Sequence, residues 1–333
     1  MRVLSRILLK LLWIAVVFLG ITVVSFWVIH LAPGTPTDLQ TTMNPTVTPE
    51  ARARLEKLYG LDQPIHVQYG RWIARLATFD FGQSVSGDNR PVWDKIEERL
   101  PLTFGMNVAS LILTLAVAIP LGVRAAWRQG GAFDRISTVI VFAGFAMPSF
   151  WLALLLMLLL GIIWPVLPIS GLTSLGFDKL SPLGKVWDVC RHLALPVFLY
   201  TFGSLAGMSR FMRTSMLEVL RQDYILTARA KGLPARTVIF RHALRNALMP
   251  VITILGLSVP GLIGGSVIIE SIFALPGLGQ LFYQAVMSRD YPLIMGSLVL
   301  GAVLTLAGNL LADVGYGLAD PRIRNSGRSG GES

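Results

Sequence analysis

Charge is scarce in this sequence and cysteine almost absent. Only 14% of its 333 residues are Asp, Glu, Lys or Arg, against about a quarter in soluble domains, so water is not the expected solvent for most of the chain. Cys190 is the sole cysteine, which excludes an internal disulfide framework and any cysteine-built zinc or iron–sulfur site. No G-x-x-x-x-G-K-[ST] phosphate loop occurs, so the chain has no recognisable means of holding ATP. There is no H-E-x-x-H or other convergent acid, base and nucleophile set, which argues against a membrane-embedded enzyme. The net charge of +10 does not point to nucleic acid, because the basic residues sit between long apolar runs rather than on a polar fold with interleaved aromatics.

What the sequence has is apolar runs. A span of roughly 30 Å of hydrocarbon takes about 20 mostly apolar residues, and only a helix satisfies its own backbone there. Six stretches qualify: 11–31, 102–123, 136–164, 193–209, 251–272 and 293–312. The expected class is therefore an all-α integral membrane protein with about six transmembrane helices. The first run follows Arg2, Arg6 and Lys10, as a signal peptide would, but it is too long for a signal core, and residues 30–36 offer no small-residue cleavage site. It is read as an uncleaved anchor. The fourth run contains Pro196, Gly203 and Gly207, so a re-entrant segment stands beside a full span there.

Lys and Arg set the orientation. Residues 1–10 carry +3 from Arg2, Arg6 and Lys10. Residues 124–135 carry +2, from Arg124, Arg128 and Arg135 against Asp134. Residues 210–245 carry +6, from Arg210, Arg213, Arg221, Arg229, Lys231, Arg236, Arg241 and Arg245 against Glu218 and Asp223. The intervening segments 32–101, 165–192 and 271–292 are close to neutral. Both termini, the loop 124–135, the loop 210–250 and the tail 313–333 are thus expected on the cytoplasmic side of a multi-pass protein, with 32–101, 165–192 and 273–292 outside.

The segment 32–101 is patterned as a small external domain rather than a linker. Thr48 and Pro49 mark a helix start, Glu50 suits its positive end, and Gly60 can close it. A second helix is expected over 64–77, with Ile65, Tyr69, Trp72, Ile73 and Leu76 on one face, and a third over 91–100. Packing is the preferred role of those aromatics, with solute or receptor contact as the alternative.

The stretch from Tyr224 to Pro250 reads YILTARAKGLPARTVIFRHALRNALMP. Gly232 can take the left-handed conformation that ends a helix, and Pro234 can begin the next, which predicts two short helices joined by a sharp elbow. In the second helix Val238, Ala243 or Leu244, and Leu248 fall near one face with Ile239 beside them, while Arg236, Arg241 and Arg245 lie largely elsewhere. Such an element would offer an apolar ridge to a protein groove and basic heads to its rim. A solvated loop that meets only lipid headgroups is the plainer alternative.

This stretch resembles the EAA loop of ATP-binding cassette import permeases. Aligned on Gly232, the family's Glu-Ala-Ala falls on Leu226, Thr227 and Ala228, and its later Leu-Pro on Leu244 and Arg245. Leu226 departs from the acidic residue, and Asp223 is the nearest substitute. HLAPGTP, GLDQPIHVQYGRW, DFGQSV, ALPGLGQLF with SRDYP, and NLLADVGYGLADPRIR follow in register, and the whole is similar to the peptide and nickel branch, in the subunit with a large external loop after its first helix. The resemblance implies the type I importer fold over a core of roughly 100–325, in a bacterial cytoplasmic membrane. It implies a heterodimer with a sister permease, two ATPase subunits that carry ATP and Mg, and an external solute-binding protein; no cofactor is expected on this chain. It assigns ATPase coupling to Asp223, Thr227, Ala228, Arg229, Ala230, Lys231, Gly232, Leu233 and Pro234, and onward to Arg236, Val238, Ile239, Arg241, His242, Leu244 and Arg245. Dipeptides or oligopeptides are the implied solutes, with nickel chelates or oligosaccharides as alternatives. A stand-alone secondary transporter is the competing class, but the repeated broken helices and midplane charge it would normally show are not seen.

Within the fifth run, Gly256, Gly261, Gly264 and Gly265 surround Pro260, and each glycine costs a helix about 1 kcal/mol relative to alanine. Gly261 and Gly265 have G-x-x-x-G spacing, which suits close helix packing. The functional alternative is a bend at the channel's narrow point, where Ser258, Pro260, Gly261, Gly264 and Gly265 would act with Asn107, Ser110 and Asn309 as a gate or path lining. Glu270, Asp313 and His30 fall near the membrane faces and are read as structural, satisfied by solvent or pairing. Pro148 is expected to kink the third span, and Arg289 and Asp290 to form a local pair.

Overall fold

The computed structural model describes residues 2–31, 57, 60, 62–86 and 88–319. The helix expected from Thr48 lies outside the described residues. Among them, helix is the only regular structure apart from one isolated bridge between Gln83 and Pro91. Five helices are long and apolar enough to cross a membrane, and a sixth crossing is made if one bent pair counts as a single span.

The chain divides into two compact units. The first contains residues up to 101 with 264–267 and 277–307. Its helices are α1 (Arg2–Leu31), α2 (Ile65–Leu76) and the start of α3 (Val92–Trp127), with two further helices described below. Phe26 and Ile29 of α1 are buried with Val92 and Ile96, and Tyr69 and Trp72 of α2 pack against this cluster, with ring centroids 5.3 and 6.0 Å from that of Phe26. Tyr69 and Thr22 share a hydroxyl hydrogen bond of 3.0 Å, and His30 Nε2 lies 3.2 Å from Gln68 Oε1. These aromatics have packing roles.

The third short helix and the second span turn out to be one 36-residue helix, α3, which passes through Pro101. The carbonyl that Pro101 deprives of a donor belongs to Glu97, an exposed residue that water can satisfy, so the proline does not end the helix. Thr103, Met106, Ser110, Thr114 and Ala118 form its buried stripe at three- and four-residue spacing.

The second unit contains 102–263, 268–276 and the chain from 308 onward. Its third span is not one helix. Helices α4 (Ala132–Ala146) and α5 (Ser149–Met157) meet at 96°, and α5 continues as a π turn over Leu158–Ile163. Met147 adopts extended backbone, φ −81° and ψ 130°, because the ring of Pro148 excludes the helical region for the residue before it. The fourth span differs in the opposite sense. Instead of 193–209 it is the 39-residue helix α6 (Pro182–Leu220), opened by Ser181, whose hydroxyl accepts from Gly184 N at 3.2 Å. Burial of Leu195, Leu199, Met212 and Met216 holds it helical through Pro196 and both glycines, so packing overrides local propensity and no re-entrant turn forms. α3 crosses α6 closely at Gly122, where a Cβ would lie 2.7 Å from Met212 Cβ and 2.8 Å from Ser209 O.

The loop expected over 273–292 contains helix α12 (Leu278–Met287), and the last helix is α13 (Tyr291–Ala319); the two belong mainly to the first unit. The local Arg289–Asp290 pair is not what organises their junction. Asp290 is fully buried and caps α13: its Oδ1 accepts from Leu293 N at 3.2 Å, and its Oδ2 accepts from Ser86 N at 3.3 Å and from the Ser84 hydroxyl. Lys95 Nζ donates to Ser84 Oγ at 2.8 Å and Ser86 Oγ at 2.5 Å, and it pairs with Asp88 at 2.7 Å. The Lys95 ammonium holds the Asp88 carboxyl below the usual carboxylate range.

Asp290→Ala removes a helix cap and leaves buried hydroxyls without their acceptor, so it should destabilise the purified chain by about 2 kcal/mol, with Asp290→Asn intermediate. Thermal denaturation in detergent measures the order; equal midpoints for both variants and the parent would contradict the capping role.

Candidate functional site

The segment after α6 folds as two arms around Gly232. Helix α7 (Asp223–Ala230) ends where Gly232 takes φ +74° and its N–H reaches Arg229 O at 2.9 Å. Pro234 then stands at the next N-terminus, followed by α8 (Ala235–Thr237), a π turn (Val238–Ala243), α9 (Leu244–Ala247) and α10 (Met249–Ser258). Asn246 Nδ2 donates to Tyr224 OH at 2.7 Å and ties the arms together.

The apolar ridge expected to face a partner instead faces inward. Val238, Ile239, Ala243 and Ala247 are buried, with Ile225 and Ala228 of α7, against Met212 and Met216 of α6 and Val123 of α3. The π turn inserts one residue into the winding, which brings 238, 239, 243 and 247 onto a common side. Ser215 Oγ donates to Ala247 O at 2.9 Å along the same seam. Val238 and Ile239 therefore anchor the elbow onto α6. The outward surface is made by Leu226 (53% exposed), Leu233 (38%) and Phe240 (51%), with Thr227, Arg229, Ala230, Lys231, Pro234, Arg236, Arg241 and Arg245 exposed around them; His242 and Leu244 are half-buried. Asp223 is the first residue of α7, where a carboxylate suits the helix dipole. Phe240 was not singled out in the sequence, because a regular helical repeat does not distinguish it from the buried side.

The fifth span is interrupted. Helix α10 stops at Ser258 and passes into a 3-10 turn (Val259–Leu262), residues 264–266 are non-helical, and α11 (Val267–Ile272) follows. A Cβ at Gly261 would meet nothing within 4 Å among the described residues, so no close helix packing is seen there to require this glycine. Asn107 Nδ2 donates to Leu262 O at 2.9 Å and satisfies a carbonyl released by the break. Ser258 Oγ bonds back to Ile254 O at 2.8 Å. Ser110 is drawn elsewhere: its hydroxyl accepts from Thr201 Oγ1 of α6 at 3.3 Å. Asn309 lies exposed on α13, and the Asp313 side chain is outside the described residues. Of the two ways of satisfying Glu270, solvent or a partner, the fold uses a partner. Glu270 is 0% exposed, with Thr103 Oγ1 donating to Oε1 at 3.2 Å, while its backbone oxygen receives Leu275 N at 2.8 Å.

One interaction escaped sequence reasoning. Arg213 of α6 grips Asp134 of α4 through two bonds of 2.7 Å, from Nε and Nη2, although both residues read as topology charges.

Substituting Gly232 tests the elbow geometry. Gly232→Val forces a β-branched side chain into positive φ and should cost well over 1 kcal/mol, whereas Gly232→Asn costs less. Limited trypsin digestion at Lys231 in membrane vesicles should be faster for Gly232→Val than for Gly232→Asn; equal rates would mean the turn does not need φ > 0.

Residues 118–325 match the model of the family described as binding-protein-dependent transport system inner membrane component, and residues 3–107 match that of its N-terminal region. The chain is 43% identical over 307 residues to the oligopeptide transport system permease protein AppB of Bacillus subtilis, covering 92% of this chain and 95% of that protein. It is 38% identical over 324 residues to the dipeptide transport system permease protein DppB of Escherichia coli K12, with the same coverage, and 37% over 324 residues to the di/tripeptide transport system permease protein DppB of Pseudomonas aeruginosa. With the apolar helices, the elbow and both halves of the sequence in agreement, the chain belongs to the binding-protein-dependent inner membrane components, the permease subunits of ATP-binding cassette importers.

Proposed function

We propose that this permease imports dipeptides or oligopeptides, and that the outward face of the Gly232 elbow receives an ATPase subunit. The relatives named above are peptide permeases, which supports the solute class. In this reading the chain pairs with a sister permease, two cytoplasmic ATPases carry ATP and Mg, an external binding protein delivers the solute, and both termini are cytoplasmic.

The observation that carries the coupling role is the two-sided elbow. Leu226, Leu233 and Phe240 are displayed outward among arginines, while Val238, Ile239 and Ala243 are locked onto α6. A partner groove can grip the first set, and the second passes the displacement to the long helix without slack, since close-packed interiors do not deform continuously. The same winding runs from Ala235 to Gly256 without losing helical character and ends just before the break at 259–266. Motion at the elbow is thereby delivered to the segment around Gly261. ATP can drive the cycle only if the ATPases hold the elbow differently in the two global states, and loaded binding protein must favour the same state as ATP.

Replacing Leu233 and Phe240 by Asp should abolish co-purification of the ATPases and ATP-dependent uptake of a labelled dipeptide in proteoliposomes, with the chain's own melting midpoint retained. Uptake driven by a proton or sodium gradient without any ATPase would overturn the proposal. Gly261→Leu should leave complex assembly intact and lower uptake at least tenfold; equal loss of assembly and uptake would assign Gly261 to packing between subunits.

A further inference from the structure

Between α3, α4 and α6, at the end of the second unit nearest the elbow, lies an open concavity of about 630 Å³. Its lining is divided chemically. Arg135, Arg210 and Arg213 bring three cations to it and Asp134 a single anion. Asp134 is committed to Arg213 by their bidentate pair. Among the described residues, that leaves the exposed guanidinium groups of Arg135 and Arg210 as the site's uncompensated charge. Arg210 lies over the Phe142 ring, 5.6 Å from its centroid, so one face of its guanidinium is covered by an apolar surface. The remaining lining is mainly apolar, from Leu121, Val139, Val141 and Phe142.

The apolar side does not stop at the concavity. Along α4, Ile136, Val139 and Ile140 are 59%, 66% and 61% exposed and Phe145 is 65% exposed, a continuous greasy strip that leads away from the arginines. A cation beside hydrocarbon is costly unless an anion meets it, and basic pockets between membrane helices are suited to lipid headgroups. A peptide or nucleotide would match the arginines and leave the strip bare; a neutral lipid would match the strip and leave the arginines unmet. An amphiphile with an anionic head and acyl chains matches both at once.

We propose that this concavity is a binding site for one anionic phospholipid, its phosphate held by Arg135 and Arg210 and an acyl chain laid along Val139 and Phe142. The Asp134–Arg213 clamp shapes the floor of the site and takes no part in charge recognition. The site is independent of which solute the importer carries.

The test uses the intact importer complex, purified in a neutral detergent and supplied with phosphatidylglycerol or phosphatidylcholine in equal amounts. Native mass spectrometry should find one phosphatidylglycerol retained per copy of this chain and no phosphatidylcholine. The double variant Arg135→Gln, Arg210→Gln should lower retention by about tenfold or more, as expected for the loss of two cationic contacts to an anionic headgroup. The double Lys variant should keep part of it, and substitution of an exposed arginine on α2, Arg75→Gln, should change nothing. The complex of each variant is assessed first by its elution and melting midpoint, and the Lys variant preserves the comparison if the Gln variant fails to assemble. A photoreactive side chain at Val139 should cross-link to the added lipid. Equal retention of phosphatidylcholine would overturn the site as anion-specific, displacement by millimolar inorganic phosphate would reduce it to a free-anion site, and cross-linking of position 139 to the sister permease would identify the concavity as a subunit contact.

Discussion

The seam between the elbow and α6 is the contact on which the working parts of this permease depend. Val238, Ile239 and Ala243 sit fully buried against Met212 and Met216, with Ile225 closing the cluster from the other arm. None of these side chains carries charge, so the seam draws its strength mainly from packing and burial, with the hydrogen bond from Ser215 to the Ala247 carbonyl beside it. It fixes the elbow onto a 39-residue helix and leaves Leu226, Leu233 and Phe240 exposed on the opposite face. A solvated loop would have the same net charge but could not transmit a displacement.

A second constraint is that backbone groups freed inside a bilayer must find partners within the protein. The breaks in this chain obey it locally. Asn107 meets the Leu262 carbonyl where the fifth span unwinds, Leu275 N returns to Glu270 O beyond it, and Gly171 N bonds to Phe273 O at 2.8 Å. Glu270 belongs to this group: a carboxyl with no solvent exposure, bonded by Thr103, in a short helix right after the break. These groups define a joint whose ends are held while at its middle, Gly261, an added Cβ would find open space among the described residues.

The basic residues, uniform in a charge count, divide into distinct tasks in three dimensions. Arg213 is spent on Asp134 and Lys95 on the hydroxyls and carboxylates around buried Asp290, while Arg210 lies over the face of Phe142 with its charge still exposed. Those on the elbow, such as Arg229, Arg236 and Arg241, remain at the surface. Orientation in the membrane needs only their number; docking and clamping need their positions.

What the sequence determined by itself was whatever depends on composition and on residues with one conformational role. Apolar length announced the spans, Gly232 and Pro234 announced the elbow at the place where φ +74° is found, and the register of short motifs announced the family. What tertiary structure decided was wherever two local preferences competed. Pro101 and Pro196 are passed by continuous helices, yet Pro148 separates two helices that meet at 96°: the same residue type has opposite outcomes, and at Pro101 and Pro196 it is solvent access to the freed carbonyl and burial of the flanking side chains that keep the helix whole. The inward turn of Val238 and Ile239 was equally hidden, since a single π turn shifts the helical phase by one residue and moves a predicted docking ridge into the core. Asp134–Arg213 and Asp290–Ser84 join residues 79 and 206 positions apart, a separation at which only the folded chain can bring partners together.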